Sequence, residues 1–221
     1  MPDSGSILIV ASSKGGVGKT TISICLAVKL ATQGYRVAGV DADRNQAFAT
    51  WHKMAESPPL TCSACVDHNE IVGHVMAKAE KNDVVIVDTA GFENQTAVFS
   101  MGAADLVLIP VMADRNSVLE AGKTARQVAS VSQIARRSIP SRVITSRWNP
   151  RGLAERATIE DLEAMGLSRF QQYLPDLSAF QKATFGGQVP SEGHTGLQIG
   201  RIVEELQALG AIPPKPSREA A

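Results

Sequence analysis

Apolar residues in this chain come in short unbroken runs, separated by stretches in which they recur every third or fourth position. Ile7 to Ala11 is apolar throughout and runs into a glycine-rich turn. That is the pattern of a parallel strand buried on both faces and feeding a helix. The helix is predicted from Thr20, with Ile22, Leu26 and Leu30 on one face, and Gly34 stops it. Tyr35 to Val40 reads as a second strand ending at Asp41-Ala42-Asp43, followed by a polar helix from Asn45 to about Glu56 that Pro58-Pro59 breaks. Ile71 to Lys81 suits a helix, and Val84 to Val87 is a fully apolar strand meeting Asp88-Thr89-Ala90-Gly91. Leu106 to Val111, Val118 to Arg136 and Arg142 to Thr145 continue as strand, long helix and strand. From Leu153 the pattern is mostly helical and closes with Leu197 to Leu209.

Strands alternating with helices at this spacing make βαβ crossovers and a mostly parallel, twisted sheet with helices on both faces, an α/β fold. Neither a repeat nor a linker divides the chain, so residues 1–211 are expected to form a single domain. The proline-rich end, 212–221, is expected to be disordered.

Composition adds exclusions. The chain has 221 residues, 44% hydrophobic and 20% charged, with 22 basic against 22 acidic side chains. It is long enough to bury a substantial core. A nucleic-acid partner would have to be met by a local basic patch and not by overall charge. No apolar run reaches membrane-spanning length and Met1 to Gly5 carries no signal-peptide pattern, which predicts a cytoplasmic protein. Cys25, Cys62 and Cys65 are odd in number and read as free thiols in a reducing compartment. Cys62-Ser63-Ala64-Cys65 has no second Cys pair or His-x3-His to complete a metal site.

The first chemistry-bearing segment is Ser12 to Thr21, SSKGGVGKTT. In the phosphate-loop pattern G-x4-G-K-[ST], successive backbone N–H groups wrap nucleotide phosphates, the Lys neutralises β and γ oxygens, and the hydroxyl holds Mg²⁺. Lys19 and Thr20 take those roles here, although Ser13 stands where the strict pattern has Gly. Three Gly and two Lys in this register arise by chance about once in several thousand such chains, and the loop lies between a predicted strand and a predicted helix. Asp41, Asp43 and Asp88 fall at strand carboxyl ends, where the crevice of a parallel sheet lies. Asp88 with Gly91 makes the D-x-x-G arrangement of a γ-phosphate sensor: the carboxylate binds Mg²⁺ directly or through water, and Gly lets its N–H approach the phosphate.

These segments, KGGVGKTT, Val40 to Asp43, and Val84 to Gly91 as VVIVDTAG, resemble the deviant Walker A, switch I and Walker B/switch II motifs of the ParA/MinD family of P-loop ATPases. Leu108 to Val111, Ala179 to Ala183 and Gly186 to Val189 also resemble segments of the small ParA group. The resemblance implies ATP and Mg²⁺ as ligands. It implies contacts to nucleotide from Lys14, Gly15, Gly16, Val17, Gly18, Lys19, Thr20, Thr21 and Gly91, and to the metal from Thr20, Asp41 and Asp88. It implies a purpose for the second lysine: Lys14 reaches across an ATP-sandwich homodimer to the phosphates of the other subunit, where charge from both sides offsets the burial of a polyanion. Catalysis would then rest on Lys14, Lys19 and Asp43, with Asp43 positioning or activating water, and hydrolysis would be slow and stimulated by a partner. One departure is Arg44, where the family has Pro after the catalytic Asp, which makes switch I less rigid.

For the small ParA group the resemblance implies a dimer that binds DNA without sequence preference, associates with the nucleoid when ATP-bound, and works with a ParB-like or other cargo adaptor to partition a plasmid, chromosome or other cargo. The DNA contacts expected are Arg142, Arg147, Arg151, Arg169, Lys182 and Arg201. Arg142 to Arg151, with Trp148, form the densest basic region of the later chain. Only thirteen residues precede Lys14, so no helix-turn-helix is expected. A MinD-like membrane cycle would want a basic amphipathic C-terminal helix, and the end here is proline-rich. An iron–sulfur relative would want later cysteines, which are lacking. A P-loop metabolic ligase would usually add substrate-binding domains.

Overall fold

The computed structural model describes residues 4–55, 60–91, 95–176, 178–183, 189 and 193–216. Seven strands, β1 (Ser6–Val10), β2 (Val37–Ala42), β3 (Thr61–Ala64), β4 (Val84–Thr89), β5 (Leu106–Val111), β6 (Ser141–Trp148) and β7 (Arg169–Pro175), form one sheet in the order β3-β2-β4-β1-β5-β6-β7. Every pairing is parallel. The continuous apolar runs have the expected cause: alternate residues feed two separate cores. Leu8 and Val10 of β1 join one core with side chains from α1 (Lys19–Thr32), α2 (Ala47–Met54), α7 (Ser178–Ala183) and α8 (Gly193–Ala208). Ile7 and Ile9 join the other, with α3 (Ile71–Ala79), α4 (Gln95–Met101), α5 (Arg115–Ala135) and α6 (Leu153–Ala164). A strand buried on both faces has no polar side to show.

Three elements depart from the sequence expectation. β3 is short and half-exposed at the sheet edge, so its TCSA carries no apolar run. α4 follows switch II closely, and its seven residues are too few to show a helical period. β7 lies in the stretch expected to be helical: Phe170 and Leu174 both enter the α1-side core, and a spacing of four fits one helix turn as well as alternate strand positions. β7 is also an edge strand, and both oxygens of Glu205 on α8 accept from its Gln171 and Gln172 N–H groups at 2.8–3.1 Å.

The expected disorder from residue 212 does not hold at its start. Ile212 is buried in the α1-side core, and the Pro213 carbonyl accepts a 2.9 Å hydrogen bond from the Tyr35 hydroxyl. Pro58-Pro59 and Gly186 to Gln188 lie outside the described residues, while Val189 is buried. Phe48 and Trp51 are core residues packed tilted on each other at 6.3 Å. His52 bonds the Leu60 carbonyl and His74 bonds Ser63. The three cysteines are free, and burial pushes the Cys25 and Cys62 thiols up to about 12, away from reactive thiolate chemistry.

Candidate nucleotide-binding site

The register sets the site. Val10 at the end of β1 lies beside Asp88 of β4, and Asp88 lies beside Asp41 of β2. The loop from Ala11 to Gly18 therefore rises next to two strand-end carboxylates. Gly18 closes it in the left-handed region, φ 92°, as the N-cap of α1, with no side chain capping the helix and no acidic residue in its first turn. The positive end of α1 and its free N–H groups are left facing the loop, an anion cradle without competitors.

Two outside elements brace the loop. The Ser146 hydroxyl, at the end of β6, donates to the Val17 carbonyl at 2.7 Å. Ser13, the departure from the strict pattern, docks the start of the loop on α5: its N–H donates to the Thr124 hydroxyl at 3.3 Å and its own hydroxyl donates to the Glu120 carbonyl at 3.2 Å. The serine replaces the freedom of Gly with an anchor.

Lys19 is buried, and its amine donates to the Lys14 carbonyl at 3.1 Å. Burial lowers its pKa, while the nearby carboxylates of Asp88 and Asp43 pull it up. An ammonium this enclosed with one carbonyl partner is short of acceptors, and phosphate oxygens would supply them. Asp88, 1% exposed, accepts from Thr20 Oγ1 at 2.7 Å and from Ser23 Oγ at 2.9 Å. Burial pushes its carboxyl up to about 7, against the pull of those two hydroxyls, and Asp41 alongside adds to the rise. The pairing of Thr20 hydroxyl and Asp88 suits Mg²⁺, which takes one or two protein oxygens and fills its octahedron with water and phosphate. Among the described residues no group of three or more His, Cys, Asp or Glu could hold a metal alone. Gly91 closes the site: a Cβ there would sit 3.4 Å from the Lys19 amine and 3.5 Å from the Gly15 nitrogen.

Asp41 sits differently from the expectation of a metal contact. It is fully buried, and its oxygens accept from the Asp43 N–H at 3.0 Å and the Ala49 N–H at 2.9 Å. Burial raises its pKa, opposed by these backbone donors. Its work is to tie switch I to the first turn of α2, whose N-cap, Gln46, offers no side-chain cap. Asp43 is half-buried, with one oxygen accepting from the Asn45 N–H at 2.9 Å in a local turn. Switch I is thus braced on both sides of Arg44, whose side chain is exposed.

The second lysine takes its own station. The Lys14 amine lies on Asp114, 2.7 Å and 2.8 Å from the two carboxylate oxygens, and donates to the Ser117 hydroxyl at 2.9 Å. Asp114 is the N-cap of α5, accepting from Ser117 N–H at 2.9 Å and Ser117 hydroxyl at 2.7 Å. Burial would raise its carboxyl, and the bonds from Lys14 and Ser117 outweigh that and hold it low. Sequence reasoning missed Asp114, Ser117, Ser146, Ser23 and Thr124. Only Asp114-x-x-Ser117 carried a signal, that of a helix start.

The expected basic contacts are not brought to one surface. Arg142 stands opposite Leu108 near the start of β6, and Arg169 opens β7 with its guanidinium on the Phe170 carbonyl. Arg147 is the penultimate residue of β6, at its other end on the loop side and roughly 17 Å from Arg142 at 3.3 Å per residue, and Arg151 follows the strand. Both are exposed, Arg147 in the left-handed conformation at φ 50°. Trp148 is buried and offers no stacking face. Lys182 and Arg201 are exposed on α7 and α8. Among the described residues no helix is long and apolar enough to cross a membrane.

Comparison with known proteins agrees with this geometry. A profile of the CobQ/CobB/MinD/ParA nucleotide-binding domain matches residues 8–190. A ParA protein of Rhizobium radiobacter is 30% identical over 145 residues, 65% of each chain, so the match spans just under two thirds of that relative. The maintenance of carboxysome distribution protein A of Halothiobacillus neapolitanus is 27% identical over 213 residues, 90% of this chain and 95% of its own. Among solved structures, an ATP complex of McdA from Cyanothece superposes with a TM-score of 0.76 at 21% identity, covering 94% of this chain and 97% of that one. The MinD cell-division ATPase of Pyrococcus furiosus superposes at 0.72 and 18%, covering 93% and 99%. A cobyrinic acid a,c-diamide synthase from Mycobacterium smegmatis, with an ATP analogue and magnesium bound, gives 0.72 at 17% and covers 95% and 98%. Motifs, parallel topology and profile converge: the chain belongs to the CobQ/CobB/MinD/ParA nucleotide-binding family.

Proposed function

We propose that this protein is a ParA-type ATPase that dimerises around ATP, binds DNA without sequence preference in that state, and is released by hydrolysis stimulated by a cargo adaptor. The observation that carries the reading is the division of labour between the two lysines. The Lys19 amine occupies the phosphate cradle, on the Lys14 carbonyl, while the Lys14 amine stands outside it on α5. One cation serves the nucleotide of its own loop; the other, held outside the cradle by Asp114 and Ser117, stands where a nucleotide in a facing copy can draw it. A second copy facing the loop would bring its own phosphates to Lys14, and charge from both subunits offsets the cost of burying them.

In this reading Lys19 and the N–H groups from Gly15 to Thr21 hold the phosphates, and Gly91 N–H approaches the terminal one. Thr20 and Asp88 hold Mg²⁺, which supplies charge neutralisation at the β and γ oxygens. Asp43, half-buried and tied to switch I by its turn, orients the attacking water, and Asp41 fixes switch I. Asp41 supports the metal site through that backbone and not as a direct ligand. Product release loosens the dimer because the terminal phosphate is the group both subunits share.

The cargo is a plasmid, a chromosome or another body. The relative from Halothiobacillus neapolitanus, a maintenance of carboxysome distribution protein similar over nearly its whole length, supports a non-DNA cargo carried on the same cycle. In this reading the protein is cytoplasmic and associates with the nucleoid when ATP-bound. The test is retention of the purified protein on non-specific duplex DNA with ATP, with ADP and without nucleotide, at two salt concentrations. Salt-sensitive retention with ATP alone is expected, since phosphate contacts release counterions. Absence of retention in every state, beside an intact ATP dimer, would overturn the DNA part of the proposal.

A further inference from the structure

The Lys14 amine is satisfied before any partner arrives. Its three donors meet Asp114 Oδ1, Asp114 Oδ2 and Ser117 Oγ, and Ser117 in turn donates its hydroxyl to Asp114 Oδ2. The pair is not deeply buried: the side chains are 23% and 38% exposed. Three residues on, the same helix holds the loop's neighbouring residue, Ser13, through the Glu120 carbonyl and the Thr124 hydroxyl. Asp114, Ser117, Glu120 and Thr124 thus form one polar stripe along α5, at spacings of three or four, against which the start of the phosphate loop is laid.

We propose that Asp114 is a positioning residue that holds Lys14 within its own subunit until ATP is bound in a facing copy, so that exchange of this carboxylate for the partner's phosphates sets the ATP concentration at which the dimer forms. This rests on the cross-subunit role of Lys14 proposed above. A lysine with three partners has to lose them to reach across. The loss is small enough to be reversible because the pair is solvent-accessible and an exposed ion pair is worth little. Two such exchanges occur per dimer, so a small preference in each subunit enters the dimer constant twice. The exchange also frees the N-cap of α5 from its cation, coupling the dimer state to the helix that carries Ser13 and the loop.

The discriminating variant is Asp114→Asn. Asn is as good an N-cap as Asp and keeps an acceptor for the Ser117 N–H, so the fold of α5 is preserved while the charge holding Lys14 is removed. The dimer is measured by light scattering as a function of a non-hydrolysable ATP analogue with Mg²⁺. At roughly three-fold per subunit for a partly exposed ion pair, Asp114→Asn should strengthen the dimer constant by about ten-fold and move the midpoint to lower nucleotide concentration. ATP affinity of the Lys14→Ala monomer and its Asp114→Asn double variant should be equal, since Asp114 is engaged with Lys14 and Ser117 at the start of α5 and not with Lys19 or Thr20. Ser117→Ala should shift the midpoint the same way by less. A gain of association is not what a merely damaged helix gives. A wild-type midpoint, or a weaker dimer, in Asp114→Asn would overturn the proposal even with the wild type dimerising normally. A wild type that never dimerises would instead remove the reading on which it rests.

Discussion

Asp88 is the residue on which the ligand-free fold and the proposed Mg²⁺-bound site make opposite demands. Enclosed at the end of β4, its carboxyl is pushed up to about 7 from an ordinary 3.8, so the nucleotide-free fold prefers it protonated. A group whose pKa is raised on folding contributes stability that is complete below the ordinary value and lost as pH rises through the folded one. The nucleotide-free protein should therefore lose stability between about pH 4 and pH 7 on account of Asp88. Asp88→Asn should remove that slope and be the more stable protein above pH 7, by ~1–4 kcal/mol, while losing Mg²⁺-dependent ATP binding. Thermal midpoints of both proteins across pH 5 to 8 check this; a constant offset at every pH would contradict it. Mg²⁺ held at this carboxylate would reverse the demand, because it needs the carboxylate ionised.

At this scale the sequence said much. Lys19, Thr20, Asp88 and Gly91 were legible because a phosphate loop and a strand-end D-x-x-G each fix residue type and spacing together. Asp41 was placed by the same strand-end rule, but the rule does not say whether a carboxylate looks into the crevice or back at its own backbone. Asp41 does lie at the carboxyl end of its strand; the direction of its carboxylate was decided by the uncapped start of α2.

Among elements, the central strands were legible because burial on both faces leaves unbroken apolar runs, and the edges were not. β3 has no such run, and β7 mixes polar with apolar residues because one flank is bare. Besides the apolar contacts of Phe170 and Leu174, β7 is tied to α8 by a carboxylate 33 and 34 residues away from the two strand N–H groups it accepts from, that of Glu205. Glu205→Ala should leave those groups to water and cost ~1–2 kcal/mol in urea unfolding, with ATP affinity unchanged. Loss of nucleotide binding alongside stability would mean that the β7–α8 edge supports the phosphate loop as well.

Over the whole molecule, the neutral charge of 22 against 22 puts any DNA contact on a local surface. The expected arginines divide between the two ends of β6 and β7. Arg147 and Arg151 are exposed on the loop side, where the proposed ATP dimer would form; Arg142 and Arg169 are half-buried at the far end, and Arg169 is engaged with a backbone carbonyl. Reversal of charge at Arg147 and Arg151 should therefore lower ATP-dependent DNA retention and flatten its salt dependence by about one unit of slope per lost phosphate contact. The same change at Arg142 and Arg169 should leave the slope in place; the opposite ranking would move the DNA surface to the far end of the sheet.

The central claim is that two lysines in one loop serve two different nucleotides. Sedimentation velocity in saturating non-hydrolysable ATP analogue and Mg²⁺ tests it most directly, comparing wild type with Lys14→Ala and with Lys19→Ala as the non-binding control. The account predicts a wild-type dimer, a Lys14→Ala protein that binds nucleotide yet stays monomeric, and a Lys19→Ala protein that does neither. A Lys14→Ala protein that dimerises as the wild type does would contradict it.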